Sequence, residues 1–373
     1  MKALQIGDLT VSTPIVQGGM GIGVSLSGLA SAVANQGGIG VISSVGIGMS
    51  YESKGKYSRK SNLEGFIREI RKAKELAPDG VLGANIMLAI TDFDDMFKAA
   101  LDEELDIVFV GAGLFIKKPA TVTMDEFVNS KTKIVPKISS ARAADLTFRV
   151  WAKSFGRIPD AVVVEGSKAG GHLGFKKQEL MGETKSLIEI VKETKEVLKK
   201  YEDEFSQKIP IIAGGGIYTG EDMYETMQAG ADAVKVGTRF VTTYECDADT
   251  KFKMQYIKAS KPEDVVIIDS PVGLPGRAIN NKFLKQISAG EKKPVSCSWQ
   301  CLKGCDYRKI PYCIAEALFN AASGNLDKGF AFAGSNGYRA TKIETVEEVF
   351  DDFITGYYQS APKKREEIFA EVA

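Results

Sequence analysis

A single histidine, His172, serves the whole chain of 373 residues. It ends the run Glu165-Gly166-Ser167-Lys168-Ala169-Gly170-Gly171-His172. An acid–base step near neutral pH must use this imidazole, or a carboxylate, thiol or amine whose pKa is displaced. A lone histidine is ordinarily structural. The glycine-rich loop after an apolar run shifts the expectation toward a catalytic base. Glycines gather at two further strand ends, in Ala213-Gly214-Gly215-Gly216-Ile217 and in Val236-Gly237-Thr238-Arg239. A Cβ at such positions blocks backbone N–H groups from phosphate oxygens, so the pair predicts a phosphate cradle, with tight turns as the plainer account. Gln17-Gly18-Gly19-Met20-Gly21 and Gly83-Ala84-Asn85 leave room for a flat ring, and Asn85 offers an amide to its polar edge. A turn and a satisfied polar residue explain those two runs equally well. Four of the five cysteines fall in Cys297-x3-Cys301-x3-Cys305-x7-Cys313. Four thiolates can hold zinc or an iron–sulfur cluster, and the spacing leaves both open.

These groups need a frame to bring them together. Apolar runs at 13–17, 40–43, 81–85, 107–111, 134–138, 161–165, 209–213 and 233–237 predict eight strands. Most are continuously apolar, as strands buried on both faces must be. Helical stretches separate them at 26–35, 63–76, 93–101, 141–155, 186–205 and 221–229, and the segment after the fourth strand is less clear. Eight β-then-α units predict an α/β fold, a (β/α)8 TIM barrel, ahead of a doubly wound open sheet. The open sheet would show an acidic residue ending the second strand, and none is there. The glycine clusters then fall after strands seven and eight, where barrels often bind phosphate.

After residue 240 the alternation stops. Residues 1–250 and 341–373 are expected to form the barrel, and 251–340 a lid subdomain with the cysteine cluster. Residues 345–357 return as an amphipathic helix with Val346, Val349, Phe350 and Phe353 on one face.

Lys and Arg number 48, as do Asp and Glu, so the net charge is zero. That balance argues against a nucleic-acid protein. No run approaches the ~18 apolar residues of a membrane helix. No export signal is read at the start, so a cytoplasmic location is expected, where clustered thiols stay reduced.

The glycine runs, Asn85, the loop ending at His172 and the Gly237-Thr238-Arg239 turn together resemble the nitronate monooxygenase superfamily, which includes flavin-dependent enoyl-acyl-carrier-protein reductases. The motifs fall in order along nearly the whole barrel. The resemblance implies FMN as cofactor, with Gly214, Gly215, Gly216, Gly237 and Thr238 on its phosphate. It implies Gly19, Met20, Asn85, Glu165, Gly170 and Gly171 around the rest of the cofactor, and His172 as base. The cysteine set followed by Ala333-Gly334-Ser335-Asn336-Gly337-Tyr338-Arg339 looks like the acyl-acyl-carrier-protein dehydrogenase/isomerase branch. That branch carries a [4Fe–4S] cluster, here implied on Cys297, Cys301, Cys305 and Cys313. NAD(P)H is then a candidate electron source, and a homodimer a candidate assembly. Basic residues at Lys54, Lys56, Arg59, Lys60, Lys117, Lys118, Lys176 and Lys177 would face an acidic acyl carrier protein, or merely form a solvated rim. The resemblance thus implies an acyl-acyl-carrier-protein dehydrogenase/isomerase or an enoyl reductase of fatty acid biosynthesis, with a nitronate monooxygenase and a non-catalytic flavin or iron–sulfur redox sensor as the alternatives.

Overall fold

The computed structural model describes residues 1–51, 58–297 and 299–361. Lys54 and Lys56 of the basic run lie outside them. Eight parallel strands close into a barrel: β1 (Ile15–Gln17), β2 (Ile39–Ser43), β3 (Val81–Met87), β4 (Ile107–Gly111), β5 (Lys133–Ile138), β6 (Val162–Glu165), β7 (Ile211–Gly214) and β8 (Ala233–Val236). Each pairs with the next, and β8 pairs with β1 to close the ring. β2 and β4 are buried at every residue, which is why they read as unbroken apolar runs.

Inside the barrel Val16, Val41, Ile107, Phe109, Val135, Val163, Ile212 and Ala233 form one core. Leu4, Ile6 and Val11 join it from an N-terminal hairpin, Leu4–Ile6 with Leu9–Val11, which plugs one end. The contact between β1 and β2 is thin, with Val16 opposite Ile39 the only ladder pair. The fully buried Gln17 compensates: its Oε1 accepts from the Val41 N–H at 2.8 Å. A side-chain amide thus replaces the missing backbone acceptor.

The outer helices include α1 (Ser27–Asn35), α2 (Arg59–Leu76), α3 (Phe93–Asp102), α4 (Ala141–Phe155), α5 (Leu187–Phe205) and α6 (Gly220–Gln228). Their starts carry the expected chemistry: Ser186 and Glu189 cap α5, and Thr219 and Asp222 cap α6, each as a reciprocal pair. The unclear stretch after β4 holds a short helix, Met124–Val128. Its Phe127 joins Phe97, Phe115 and Trp151 in an aromatic cluster that ties α3 to α4.

The place of the eighth helix is filled from far along the chain. β8 runs into a four-residue helix, α7 (Thr238–Val241), and the chain then departs. It returns as α8 (Ile314–Ala322) and α9 (Val346–Ser360). α9 packs against α6 and α1, burying Val346, Val349, Phe350 and Phe353. Gly220 and Gly356 allow the α6–α9 crossing to be close, since a Cβ on Gly220 would sit 2.3 Å from the Phe353 carbonyl.

Arg239 locks this helix in place. Its Nη2 lies 2.8 Å from Glu344 and 2.8 Å from Asp352, while Nη1 donates to the Tyr218 carbonyl at 3.2 Å. The Arg239 and Glu344 side chains are 8% and 6% exposed. Arg239→Met removes the main partner of a buried carboxylate. It is expected to cost about 3 kcal/mol in urea unfolding, and a loss below about 1 kcal/mol would show that the pair does not hold the helix.

Candidate active site

The chain between α7 and α9 builds one wall of the barrel mouth. β9 (Val265–Asp269) and β10 (Pro275–Ile279) form an antiparallel pair, and the short strand Gly171–His172 adds to its edge. His172 stands opposite Gly276 in that ladder. It is therefore held in a three-stranded sheet rather than in a free loop. Its Nε2 lies 2.7 Å from Ser270 Oγ, and Phe332 packs edge-on to the ring at 5.0 Å between centroids. Gly276 makes this possible, because a Cβ there would lie 2.8 Å from the Phe332 ring. Burial, aided by the nearby Lys137 cation, pulls the His172 pKa down to about 4. The imidazole is thus neutral at physiological pH, with one bare nitrogen able to accept a proton.

The loops after β6, β7 and β8 converge beside it. Gly215 and Gly216 have φ of 110° and 91°, a conformation that side chains other than glycine rarely take. A Cβ on Gly215 would lie 2.9 Å from the Gly166 carbonyl, so this glycine lets the β6 and β7 loops touch. A Cβ on Gly170 would strike the Ala333–Gly334 peptide at 2.6 Å, whereas one on Gly171 meets nothing within 4 Å. Gly237 faces open space as well, with only Met20 Sδ near, at 3.5 Å. Gly214 makes room for Lys235, whose Cβ would be 3.1 Å away.

The segment before α9 closes over these loops. Gly334 N–H donates to Thr238 Oγ1 at 3.2 Å, Ser335 N–H to the Lys168 carbonyl at 3.0 Å, and Asn336 Nδ2 to the Gly216 carbonyl at 2.7 Å. Arg277 adds a clamp from β10, its Nη1 donating to the carbonyls of Ser167 and Ala169 at 2.7 Å and 2.5 Å.

On the far side, Gly19 packs against Asn85 so closely that a Cβ would fall 2.3 Å from the Asn85 Cβ. Met20 N–H donates to Ser25 Oγ at 2.8 Å. Glu165 is engaged by Lys137, Nζ to Oε1 at 2.9 Å. Reading by sequence missed Ser270, Phe332, Arg277, Lys137 and Lys235. Only the two lysines left a trace there, as charges inside apolar strands.

The four clustered cysteines line one small pocket with Val295, Leu302, Tyr307 and Ile310. That loop docks on the chain after β3: Thr91 N–H donates to the Cys301 carbonyl at 3.0 Å, and Lys303 Nζ to the Leu88 carbonyl at 3.0 Å. Cys301 and Cys313 pack beside Ile22 and Met49, from the loops after β1 and β2. Burial raises the thiol pKa of Cys305 and of Cys313, and Cys297 adds to both. Four thiols on one pocket are the donor type that zinc or an iron–sulfur cluster takes, although burial by itself favours the protonated form of Cys305 and Cys313. Among the described residues, no three His, Cys, Asp or Glu side chains stand together in the geometry of a metal site.

A closed (β/α)8 barrel with a neutral histidine and glycine-lined loops at the C-terminal ends of its strands defines a barrel enzyme whose chemistry is gathered at that face. The chain belongs to the nitronate monooxygenase family, whose model matches residues 2–356, and it is accordingly an oxidoreductase of the FMN-using kind. A probable nitronate monooxygenase of Staphylococcus aureus (strain Newman) is 26% identical over 314 residues, covering 76% of this chain and 79% of that one. The probable nitronate monooxygenase of Staphylococcus saprophyticus is 26% identical over 304 residues, with coverage of 76% and 79%. Two solved structures share the fold. FabK from Thermotoga maritima aligns with a TM-score of 0.71 at 24% identity, covering 97% of this chain and 96% of that one. A nitroalkane oxidase from Streptomyces ansochromogenes aligns with a TM-score of 0.67 at 20% identity, covering 93% and 96%. Among the described residues, no helix is long and apolar enough to cross a membrane.

Proposed function

We propose that the protein is an FMN-dependent acyl-thioester dehydrogenase/isomerase that receives its substrate on an acyl carrier protein. The observation that carries this choice within the family is the pocket of Cys297, Cys301, Cys305 and Cys313 set against the mouth loops, because oxidation of a nitronate needs no thiolate centre. In this scheme Gly214, Gly215, Gly216, Gly237 and Thr238 hold the FMN phosphate. Gly19, Met20, Asn85, Glu165, Gly170 and Gly171 border the rest of the cofactor. When bound, FMN supplies the acceptor for the two electrons that leave the β-carbon as hydride.

The protein supplies the proton chemistry. Nε2 of His172 lies 2.7 Å from Ser270 Oγ; in the tautomer that donates Nε2–H to this hydroxyl, Nδ1 is the bare nitrogen that takes the α-proton of the thioester. The same nitrogen can remove a γ-proton and return it at the α-carbon, moving a trans-2 double bond to cis-3. Phe332 and the β9–β10 sheet hold the ring still and keep water from it. Lys117, Lys118, Lys176 and Lys177 would meet the acidic carrier. Lys177 already pairs with Asp269 at 2.7 Å, and Lys118 donates to the Val122 carbonyl at 2.5 Å, which leaves Lys117 and Lys176 as the stronger candidates.

The printed names of the sequence relatives favour a second reading, a nitronate monooxygenase using the same base. Acyl-carrier substrate added without oxygen and a nitronate added in air, since monooxygenation consumes O2, decide between them in separate cuvettes. Loss of the flavin absorbance with the acyl substrate alone supports the dehydrogenase, and turnover of the nitronate alone supports the rival.

The thiolate centre has its own test. Protein purified without oxygen is expected to contain iron and labile sulfide, and Cys305→Ser to lose most of both while keeping FMN. Zinc in place of iron, or unchanged iron in the variant, would overturn the iron–sulfur assignment. Loss of the fold along with the metal would mark the centre as structural.

A further inference from the structure

Lys235 is the one charged residue of β8, between Val234 and Val236. Its side chain crosses the barrel and sets Nζ 3.7 Å from the centroid of the Phe109 ring on β4. Nζ is buried and has no hydrogen-bond partner among the described residues. The nearby charges come from strands that are not its ladder neighbours: Lys137 on β5 and Glu165 on β6, already paired to each other at 2.9 Å. Phe109 of β4 and Gly214 of β7 also lie against Lys235. The Lys137 cation also acts on His172, so this charged layer is within electrostatic reach of the base. With both lysines protonated and Glu165 ionised, the layer holds one cation more than it can neutralise.

Burial of an unpaired amine opposes folding. Desolvation first, and then Lys137, lower the Lys235 pKa to about 7, against the pull of Glu165. An amine poised there responds to any negative charge set above it. Asn85 and Gly19 stand across the same mouth, in the place assigned above to the cofactor ring. A two-electron acceptor that takes hydride gains one negative charge, and a buried cation beside it favours that state.

We propose that Lys235 is the charge-compensating residue for the reduced cofactor, its ammonium balancing the negative charge that the FMN ring gains with the hydride. Above pH 7, where Lys235 starts neutral, each reduction then draws one proton from solvent onto it, and each reoxidation releases that proton. This rests on the FMN reading given above.

FMN binding by apo-protein tests the idea without turnover. Affinity is measured for oxidised FMN, and anaerobically for FMN reduced by dithionite, in wild type, Lys235→Met and Lys235→Gln. Both variants are expected to bind oxidised FMN within about threefold of wild type and reduced FMN about tenfold more weakly. A tenfold change is about 30 mV for a two-electron couple. In wild type the preference for reduced FMN should be full below pH 7, where Lys235 is protonated in both states. It should fall as pH rises above 7, and the variants should lack that fall. Apo Lys235→Met should melt at least about 2 °C above wild type, because an orphaned amine is gone. Equal weakening of both oxidation states, or unchanged reduced-FMN affinity, overturns the proposal. Wild type that binds no FMN overturns the flavin reading itself, which separates the two failures.

Discussion

Replacing His172 with glutamine is expected to lower turnover by about 10²–10⁴-fold, the usual loss when a general base is removed, with FMN still bound. Glutamine keeps a polar tip for Ser270, so the β9–β10 sheet and its added strand remain paired. What disappears is the bare imidazole nitrogen. No other side chain takes over easily, since Glu165 is held by Lys137. Exchange of the α-proton with deuterated water should vanish in the variant, and substrate should no longer bleach the flavin. The pH profile carries the same information. The wild-type base has its pKa lowered to about 4, chiefly by burial, so the neutral form prevails above that value. Activity governed by His172 should therefore hold from neutral pH down to about 5 and fall as pH drops through 4. A base at the ordinary histidine pKa would lose activity near 6.5 instead. Near-wild-type exchange in His172→Gln would show that the proton leaves by another route.

Gly237→Val is expected to weaken FMN binding by at least about 100-fold, which is about 3 kcal/mol, while leaving the barrel folded. Gly237 has φ of −107°, a conformation open to any residue. A Cβ there meets only Met20 Sδ, at 3.5 Å, so the protein itself has room for the branch. The space it fills is the one assigned to the phosphate. Gly215 is a poorer test. Its φ is 110°, and its Cβ would press on Gly166 and Ala169, so a valine there would deform two loops whether or not FMN binds between them. Equilibrium binding and thermal melting of apo Gly237→Val separate the two effects. Stoichiometric FMN in this variant would remove the phosphate from these loops.

Much of this molecule was legible along the chain because its information is local. A strand covered on both faces must be apolar throughout, so β2 and β4 announce themselves. Strand ends came within two residues of the observed bounds, with the shortest strand, β1, the most overestimated. α9 was readable from the spacing of Val346, Val349, Phe350 and Phe353, and its apolar face is buried. The cysteine spacing identified four residues that line one pocket, but it carried no information on which loops that pocket would touch.

The sequence by itself determined the barrel, because eight runs of two-sided burial have few other ways to pack, and it determined where glycine would spare the strand ends. Tertiary structure alone decided what surrounds the reactive groups. Ser270 is 98 residues from His172 and reaches it only because β10 pairs with the Gly171–His172 strand. Asn336 reaches Gly216 across 120 residues by the same kind of closure. Lys235 was visible as a charge in an apolar strand, yet its role depends on which way β8 faces and on Glu165 being already taken by Lys137. Burial and the distance between charges are properties of the closed barrel, and they set the His172 and Lys235 pKa values. Local pattern can specify an element, but desolvation and charge pairing arise only when distant elements meet.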